Sequence, residues 1–449
     1  MMKTLQTTYE HPEVETLDRV SLEALQDRKL RALGERLAGH PEWVEHFASF
    51  GMKPSDLRDR TTLRRIPTLD KSALRARYPF PFLTVPMREV ARFCATSGTT
   101  GLPVMFGYTR RDIDTLMAYQ MSRLLRAAGV EPAERVYQGY GYGLWVGGVV
   151  MDWGLFAYGC TNFGIGPGRA DAVVQWLRDH KYTSCTMSPL WLMTLVNTAK
   201  SQGIDPKRDW HLRLGVFGGQ SVSAAFRNEL EAEMPAGFIA QNIYGSTESG
   251  GPNHAISCRH SHDADQMHLI NEDTILTEVV NPETLEPVAP GETGEIVFTT
   301  LEREASPVVR WRTRDLVRLA EKPYDCGCGR RAFPLIGRII GRTDDMLKVR
   351  GSMVFPSQIE DCIASLPATV NEAWQIYVDR EEKVLEELIV AVERRADSTQ
   401  GDDDVRDVLE RSIRARLGIR VTVEVCQEGT LPRYEAKATR VLVRKSGGA

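Results

Sequence analysis

From Ala95 to Pro103 the chain reads Ala-Thr-Ser-Gly-Thr-Thr-Gly-Leu-Pro. Hydroxyl residues and glycines packed this closely leave backbone N–H groups free to surround phosphate oxygens, which points to a nucleotide triphosphate. The same composition would also serve an ordinary Ser/Thr/Gly turn. Further motifs separate the two readings. They are Tyr244-Gly245-Ser246-Thr247-Glu248, Arg312-Thr313-Arg314-Asp315-Leu316, the run GRTDDMLKVRG from Gly341 to Gly351, and Leu431-Pro432-Arg433-Tyr434-Glu435-Ala436-Lys437. One glycine-rich loop is a weak signal; five motifs in this order are a strong one.

Motifs scattered from Ala95 to Lys437 can meet only if the chain returns repeatedly to one edge of a sheet. Apolar residues at helical spacing predict helices over 110–128, 170–180, 190–202 and 223–234, and short apolar runs predict strands over 135–140, 184–187 and 214–217. Such alternation implies βαβ units and parallel sheets, with ligands beyond the strand C-termini, where the motifs lie. Residues 17–47 predict surface helices packed on a larger body. From 274 to 318 short β-rich segments, broken at Asn281-Pro282, Pro290-Gly291 and Gly294, predict a strand-rich subdomain.

Beyond 342–345 the pattern is that of a small α+β unit: a hairpin at 346–355, helices at 356–365 and 403–417, and strands at 372–378, 387–392 and 420–425. Asp402, Asp403 and Asp404 open the last helix, where carboxylates meet the positive end of its dipole. The expected fold is α/β. A large N-terminal domain, 1–343, carries mostly parallel sheets and the strand-rich subdomain, and a small mobile α+β domain occupies 344–449.

The chain's 449 residues, 42% apolar and 26% charged, describe an ordinary globular protein too long for one core. A net charge of -4 gives no footprint for nucleic acid or an anionic membrane. No run is long and apolar enough to span a bilayer, and the start MMKTLQTTYEHPEVE has no apolar signal core, so a cytoplasmic location is expected. The eight cysteines are then expected to be reduced, with Cys94, Cys160, Cys185, Cys362 and Cys426 as core residues.

Taken in order, the five motifs resemble those of the adenylate-forming superfamily of acyl-CoA synthetases and peptide-synthetase adenylation domains. The closer likeness is to its phenylacetate–coenzyme A ligase branch, visible in RARYPFPFLTVP (75–86), in YGYGLW (140–145), and in EIVFTTLEREASPVVRWRTRDL, which ends at Leu316. It runs from about Leu63 to Arg440. The resemblance implies ATP, with Thr96, Ser97, Gly98, Thr99, Thr100 and Gly101 around its β- and γ-phosphates. Thr247 would contact the α-phosphate and Glu248 would hold Mg²⁺, a hard cation suited to such oxygens. Tyr244, with Gly245 and Ser246 beside it, would lie against adenine near Gly218, Gly219 and Gln220. Asp315 would accept from the ribose hydroxyls, supported by Arg342. Lys437 occupies the position of the lysine that bridges substrate carboxylate and α-phosphate, although Ala436 replaces the usual glycine. Asp344 stands at the hinge about which the small domain turns between half-reactions, and Lys348 to Gly351 would approach the site in the second.

The same likeness places Tyr140, Tyr142 and Trp145 beside the acyl group. Aromatic walls suit a small aryl acid, and Trp145, where the branch often has phenylalanine, suggests a shallower pocket for a benzoate-like acid. Cys326 and Cys328 lie close enough in sequence to suggest a metal, and some branch members carry a structural zinc there. By position Cys258 and His268 complete four ligands, with His260 and His262 as nearby substitutes; the alternative is a metal-free glycine loop. Two features depart from the pattern. Gly101-Leu102-Pro103-Val104 lacks the lysine that many relatives carry in or just after the phosphate loop, and Phe217-Gly218-Gly219-Gln220-Ser221 lacks the acid common near adenine.

The expected activity is ATP-dependent ligation of an aryl acid to coenzyme A through an acyl-adenylate. One alternative passes the acyl group to a carrier protein, an amine or a hydroxyl; another is a nucleotide-binding relative without catalysis. Expected partners are a small aromatic carboxylic acid and coenzyme A or a carrier protein, with no nucleic acid, no membrane, and homodimerisation left open.

Overall fold

An eight-stranded sheet forms the centre of the protein. Its order is Leu335–Gly337, Gln266–Leu269, Gly251–Ile256, Ile239–Ser246, Leu214–Phe217, Ser184–Met187, Arg135–Gln138, Thr161–Gly164. The computed structural model describes residues 9–96, 102–220, 222–349, 352–366, 369–378, 385, 388–434 and 439–444. From Ile239–Ser246 to Thr161–Gly164 neighbouring strands run parallel. Ser184–Met187 and Leu214–Phe217 are buried along their whole length, as strands covered on both faces must be. The helix Pro189–Ser201 follows at once: Ser188 accepts from the amide of Trp191 at 3.2 Å, and Pro189 sits where no amide partner is needed.

The remaining pairings, at the other end of the sheet, are antiparallel, within a sheet that is parallel-rich as expected. The cause is local. Ile239–Ser246 returns as Gly251–Ile256 through the turn at 247–250, far shorter than a parallel crossover, with Gly250 and Gly251 at φ 109 and 139 to make the reversal. The candidate site residues Thr247 and Glu248 lie on this turn.

A second sheet, in the order Ile275–Val280, Thr293–Thr300, Trp311–Arg318, Gly341–Arg342, is antiparallel throughout and fulfils the strand-rich expectation. The helices Arg19–Leu37 and Pro41–Ala48 are built into the main core: Leu22, Leu30, Leu33, Leu37, Trp43 and Phe47 are fully buried. Each such side chain contributes about 1.5–3 kcal/mol of burial.

The C-terminal unit has its own sheet, Thr422–Gln427, Ile389–Arg394, Val370–Val378, Val441–Val443, and its own core around Trp374, Ile376, Val390 and Leu409. Its hairpin pairs Leu347–Val349 with Ser352–Val354, and Asp402, Asp403 and Asp404 fill the first turn of the helix Asp402–Leu417. Arg395 pairs with Glu229 at 2.7 Å, and Arg338 reaches both Asp361 and, at 3.5 Å, Asp265, which seats this unit on the larger body. Among the described residues no helix is long and apolar enough to cross a membrane. All eight cysteines are free thiols; Cys94, Cys185 and Cys362 are buried, whereas Cys160 and Cys426 are only half-buried and so lie at the core's margin.

Candidate functional site

Four side chains from three parts of the chain meet at one point. The Tyr244 hydroxyl donates to Asp315 Oδ2 at 2.7 Å, and Arg342 Nη1 donates to Asp315 Oδ1 at 3.1 Å. Arg342 also grips Asp344 with both arms, Nε to Oδ1 and Nη2 to Oδ2, each at 2.8 Å. Sheet register sets this up, since Asp315 and Arg342 are direct partners on adjacent strands. Burial resists ionisation of Asp344, but the Arg342 guanidinium prevails and holds its carboxyl below the usual range. For Tyr244 burial and the Asp315 carboxylate act together and push the phenol well above its ordinary value, so it stays a donor.

On the turn beyond Tyr244, Gly245 lies so close to the Gly251 carbonyl, 2.0 Å from where a Cβ would stand, that no side chain fits. Ser246 and Ser249 lock the turn by exchanging side-chain and backbone bonds at 3.0–3.2 Å. Thr247 rides on this turn. Glu248 is 6% exposed; its carbonyl accepts from Arg303 Nη1 at 2.7 Å, and its carboxylate lies 3.8 Å from Lys71 Nζ. Neither cation stood out in the sequence. Lys71 lies in an unremarkable helix start, Asp-Lys-Ser-Ala, and only the absence of a loop lysine could have prompted a search for a replacement.

The strands Arg92–Ala95 and Met105–Tyr108, which flank the glycine-rich segment in sequence, pair antiparallel. Thr96 closes its base, its amide donating to the Val104 carbonyl at 3.0 Å and its hydroxyl accepting from the Val104 amide at 3.1 Å. Ser97, Gly98, Thr99, Thr100 and Gly101 lie outside the described residues. Gly218, Gly219 and Gln220 follow directly on the strand Leu214–Phe217, Gly219 at φ 86. Gln220 Nε2 is buried with no hydrogen-bond partner among the described residues, a donor suited to a ring nitrogen of a base.

Tyr140 reaches across to this edge, its hydroxyl donating to the Val216 carbonyl at 3.2 Å and approaching Gly218. The Ala95 amide donates to the Leu144 carbonyl at 2.9 Å, so the segment 140–145 runs beside the end of the strand Arg92–Ala95. Trp145 is half-buried at the start of the helix Val146–Tyr158. The Tyr142 hydroxyl stands over Gly164 with Asp152, 1.7 Å from where a Cβ on that glycine would be.

Cys258, His268, Cys326 and Cys328 come together with their ligand atoms within 4.8 Å of one another. Cys258 and Cys326 sulfurs are 3.7 Å apart, and Cys328 Sγ is 3.2 Å from His268 Nε2. His268 Nδ1 lies 3.3 Å from the Phe333 carbonyl, which orients Nε2 toward the sulfurs, as metal-bound histidines require. His262 instead pairs with Glu231 at 2.9 Å. Three sulfurs and an imidazole in a buried tetrad match the donor set of a structural zinc.

Lys437 lies outside the described residues, but its motif is anchored. Tyr434 packs against the core of the larger body, while its hydroxyl donates to the Thr439 carbonyl at 2.9 Å. Arg433 Nη2 donates to Glu393 at 2.7 Å, and Glu393 also accepts from Asn371 and from the amides of Gly429 and Leu431. Burial opposes the Glu393 charge, but these donors prevail and push its carboxyl down to about 2. A depressed carboxyl stabilises the fold fully above the ordinary glutamate value, and that contribution fades as pH falls toward the folded value. Glu393→Gln is expected to cost up to about 3 kcal/mol at neutral pH, with the gap to wild type narrowing in acid. Denaturation at several pH values checks this; equal stability of the two proteins at pH 7 contradicts it.

Residues 34–300 match the AMP-binding enzyme family, and residues 351–445 match the AMP-binding enzyme C-terminal domain. Phenylacetate-coenzyme A ligases from Escherichia coli (strain K12) and Pseudomonas putida are 37% and 36% identical over 433 and 436 residues, 95% of this chain and 96% of each of theirs. A crystal structure of 2-hydroxyisobutyryl-CoA ligase in the postadenylation state, with 2-HIB-AMP, gives a TM-score of 0.89 at 24% identity, covering 99% of this chain and 94% of that one. The same enzyme with 2-HIB-AMP and CoA in the thioesterification state gives 0.72 at 25% identity, with the same coverage.

Proposed function

Because the chain belongs to the AMP-binding enzyme family and is an acyl-CoA ligase of the adenylate-forming kind, we propose that it joins a small aromatic, benzoate-like acid to coenzyme A. A carboxylate oxygen of the acid attacks the α-phosphorus of ATP as the bond to pyrophosphate breaks. The coenzyme A sulfur then attacks the acyl carbon, and AMP leaves. The observation that carries the nucleotide assignment is the hydrogen-bonded chain Tyr244–Asp315–Arg342–Asp344, which holds the Asp315 carboxylate between two neighbouring strands and ties it to the hinge.

In this reading Asp315 accepts from the ribose hydroxyls, while Tyr244, Gly218, Gly219 and Gln220 flank adenine. Gln220 Nε2 gives the base a buried donor. Thr96 to Gly101 surround the outer phosphates, and Thr247, beside Gly245 and Ser246, meets the α-phosphate. Mg²⁺, held by Glu248, would neutralise phosphate charge. Lys437 bridges the acid carboxylate and the α-phosphate, a task suited to a compact ammonium. The domain 344–449 pivots at Asp344 between the two half-reactions. Cys258, His268, Cys326 and Cys328 hold a structural zinc, which with four protein ligands has no open position for chemistry.

The acid is tested by pyrophosphate release over a panel of benzoates, arylacetates and fused-ring acids, with Trp145 as the control point. Trp145→Ala removes the wall against a benzoate and opens room for longer acids. A methylene's worth of fit is about 1–3 kcal/mol, so relative kcat/KM is expected to shift by roughly 10- to 200-fold toward the longer acids. KM for ATP is expected to stay unchanged. An unaltered ranking would remove Trp145 from the pocket and the benzoate preference with it.

A further inference from the structure

The phosphate loop offers no lysine in Gly101-Leu102-Pro103-Val104, yet the structure brings a lysine to the turn that the reading above assigns to the metal and the α-phosphate. We propose that Lys71, from outside the loop, is a cation that binds the β- and γ-phosphates of ATP. This rests on the assignment of that site to ATP.

Three constraints fix the position of Lys71. Two residues before it, the Leu69 amide donates to the Arg310 carbonyl and the Leu69 carbonyl accepts from the Arg312 amide, both at 2.9 Å. The segment is thereby stitched to the strand that carries Asp315. Asp70 then starts the helix Lys71–Arg75 by accepting from the amides of Ser72 and Ala73 at 3.0 and 3.2 Å. At the helix end Arg75 Nε donates to the carbonyl of Leu102, just past the glycine-rich loop, at 3.4 Å. A short helix thus spans from the ribose-side strand to the exit of the phosphate loop, with the Lys71 ammonium between them, 3.8 Å from Glu248.

Its side chain is 40% exposed, so it can move by bond rotation from Glu248 to a bound polyphosphate, whereas Glu248 itself is nearly buried. A second cation holds that carboxylate's backbone. Arg303 is 1% exposed, donates Nη1 to the Glu248 carbonyl, and lies over the Tyr108 ring at 4.5 Å. Its Nε and Nη2 are buried without hydrogen-bond partners among the described residues. Arg303 is a positioning residue that raises the local potential; Lys71 is the group that reaches the ligand. A strongly hydrated point charge on a flexible stem suits the β- and γ-oxygens, which change position as pyrophosphate leaves.

The test compares full-length wild type, Lys71→Met and Lys71→Arg in three measurements. They are calorimetric binding of ATP with Mg²⁺ without acid, single-turnover pyrophosphate release, and thioester formation from preformed acyl-adenylate and coenzyme A. Lys71→Met is expected to weaken ATP binding and to slow pyrophosphate release by roughly 10²-fold, and Lys71→Arg to recover part of both. Thioester formation is expected to stay near wild type, because pyrophosphate has gone by then. ATP binding by Lys71→Met equal to wild type, or equal losses in both half-reactions, overturns the proposal. Wild type that binds ATP but releases no pyrophosphate with any aryl acid would instead overturn the proposed reaction, and the calorimetry would still decide Lys71.

Discussion

Lys437→Ala is expected to depress acyl-adenylate formation by roughly 10²- to 10³-fold while leaving thioester formation from preformed adenylate near wild type. In the first half-reaction three anionic groups, the acid carboxylate, the α-phosphate and the departing pyrophosphate, are forced together, and a cation between them acts on charge that develops in the transition state. In the second the pyrophosphate is absent and, on the proposed pivot at Asp344, Lys437 no longer serves the site. The small unit already lies with Tyr434 against the core of the larger body, so its motif starts from a docked position. Rapid-quench measurement of each half-reaction separates the two. Equal loss in both would show that Lys437 serves folding or general binding.

Cys326→Ser is expected to lower zinc content from about one per chain and to destabilise the protein by about 2–3 kcal/mol, the linkage contributed by a ligand present near a hundred times its dissociation constant. The convergence of three sulfurs and one imidazole nitrogen, all within 4.8 Å of one another, argues for a metal. Hydrogen bonding among the thiols holds Cys258 below the ordinary cysteine value and Cys326 above it. The loop around them is rigidly held, with the Tyr9 hydroxyl donating to the Cys328 carbonyl at 2.8 Å and buried Arg330 paired to Glu15 at 2.6 Å. Loss of the metal would therefore reach the N-terminal segment. Metal analysis with thermal unfolding checks this, and metal-free protein of unchanged stability contradicts it.

Much of this architecture is legible in residue patterns, and the exceptions have physical causes. The strands at 184–187 and 214–217 announce themselves as short apolar runs, and the helices after them as amphipathic repeats, because both faces of those strands are covered. The antiparallel half of the main sheet is not legible. It depends on a four-residue reversal at 247–250 whose residues also serve the site, so its glycines read equally as site and as turn. The pairing of Asp315 with Arg342 is a matter of register between distant strands, which no local pattern encodes. The Cys/His tetrad required the likeness to relatives to join residues 258 and 268 to the CxC loop. The place of the Tyr142 hydroxyl over Gly164, beside Asp152, depends on a contact between separate segments, which no local pattern encodes. Lys71 and Arg303 carried no signal of their own beyond the lysine missing from the loop, since a lysine opening a short helix and an arginine in a charged stretch look solvated until the fold buries their neighbours.

The most direct test of the reaction is product analysis of the full-length protein with ATP, Mg²⁺, coenzyme A and the best acid of the panel. The account predicts aryl-CoA, AMP and pyrophosphate in equal amounts, with thioester formation abolished when either ATP or coenzyme A is omitted. Formation of ADP and phosphate, or AMP accumulating in the presence of coenzyme A with no thioester, would contradict it.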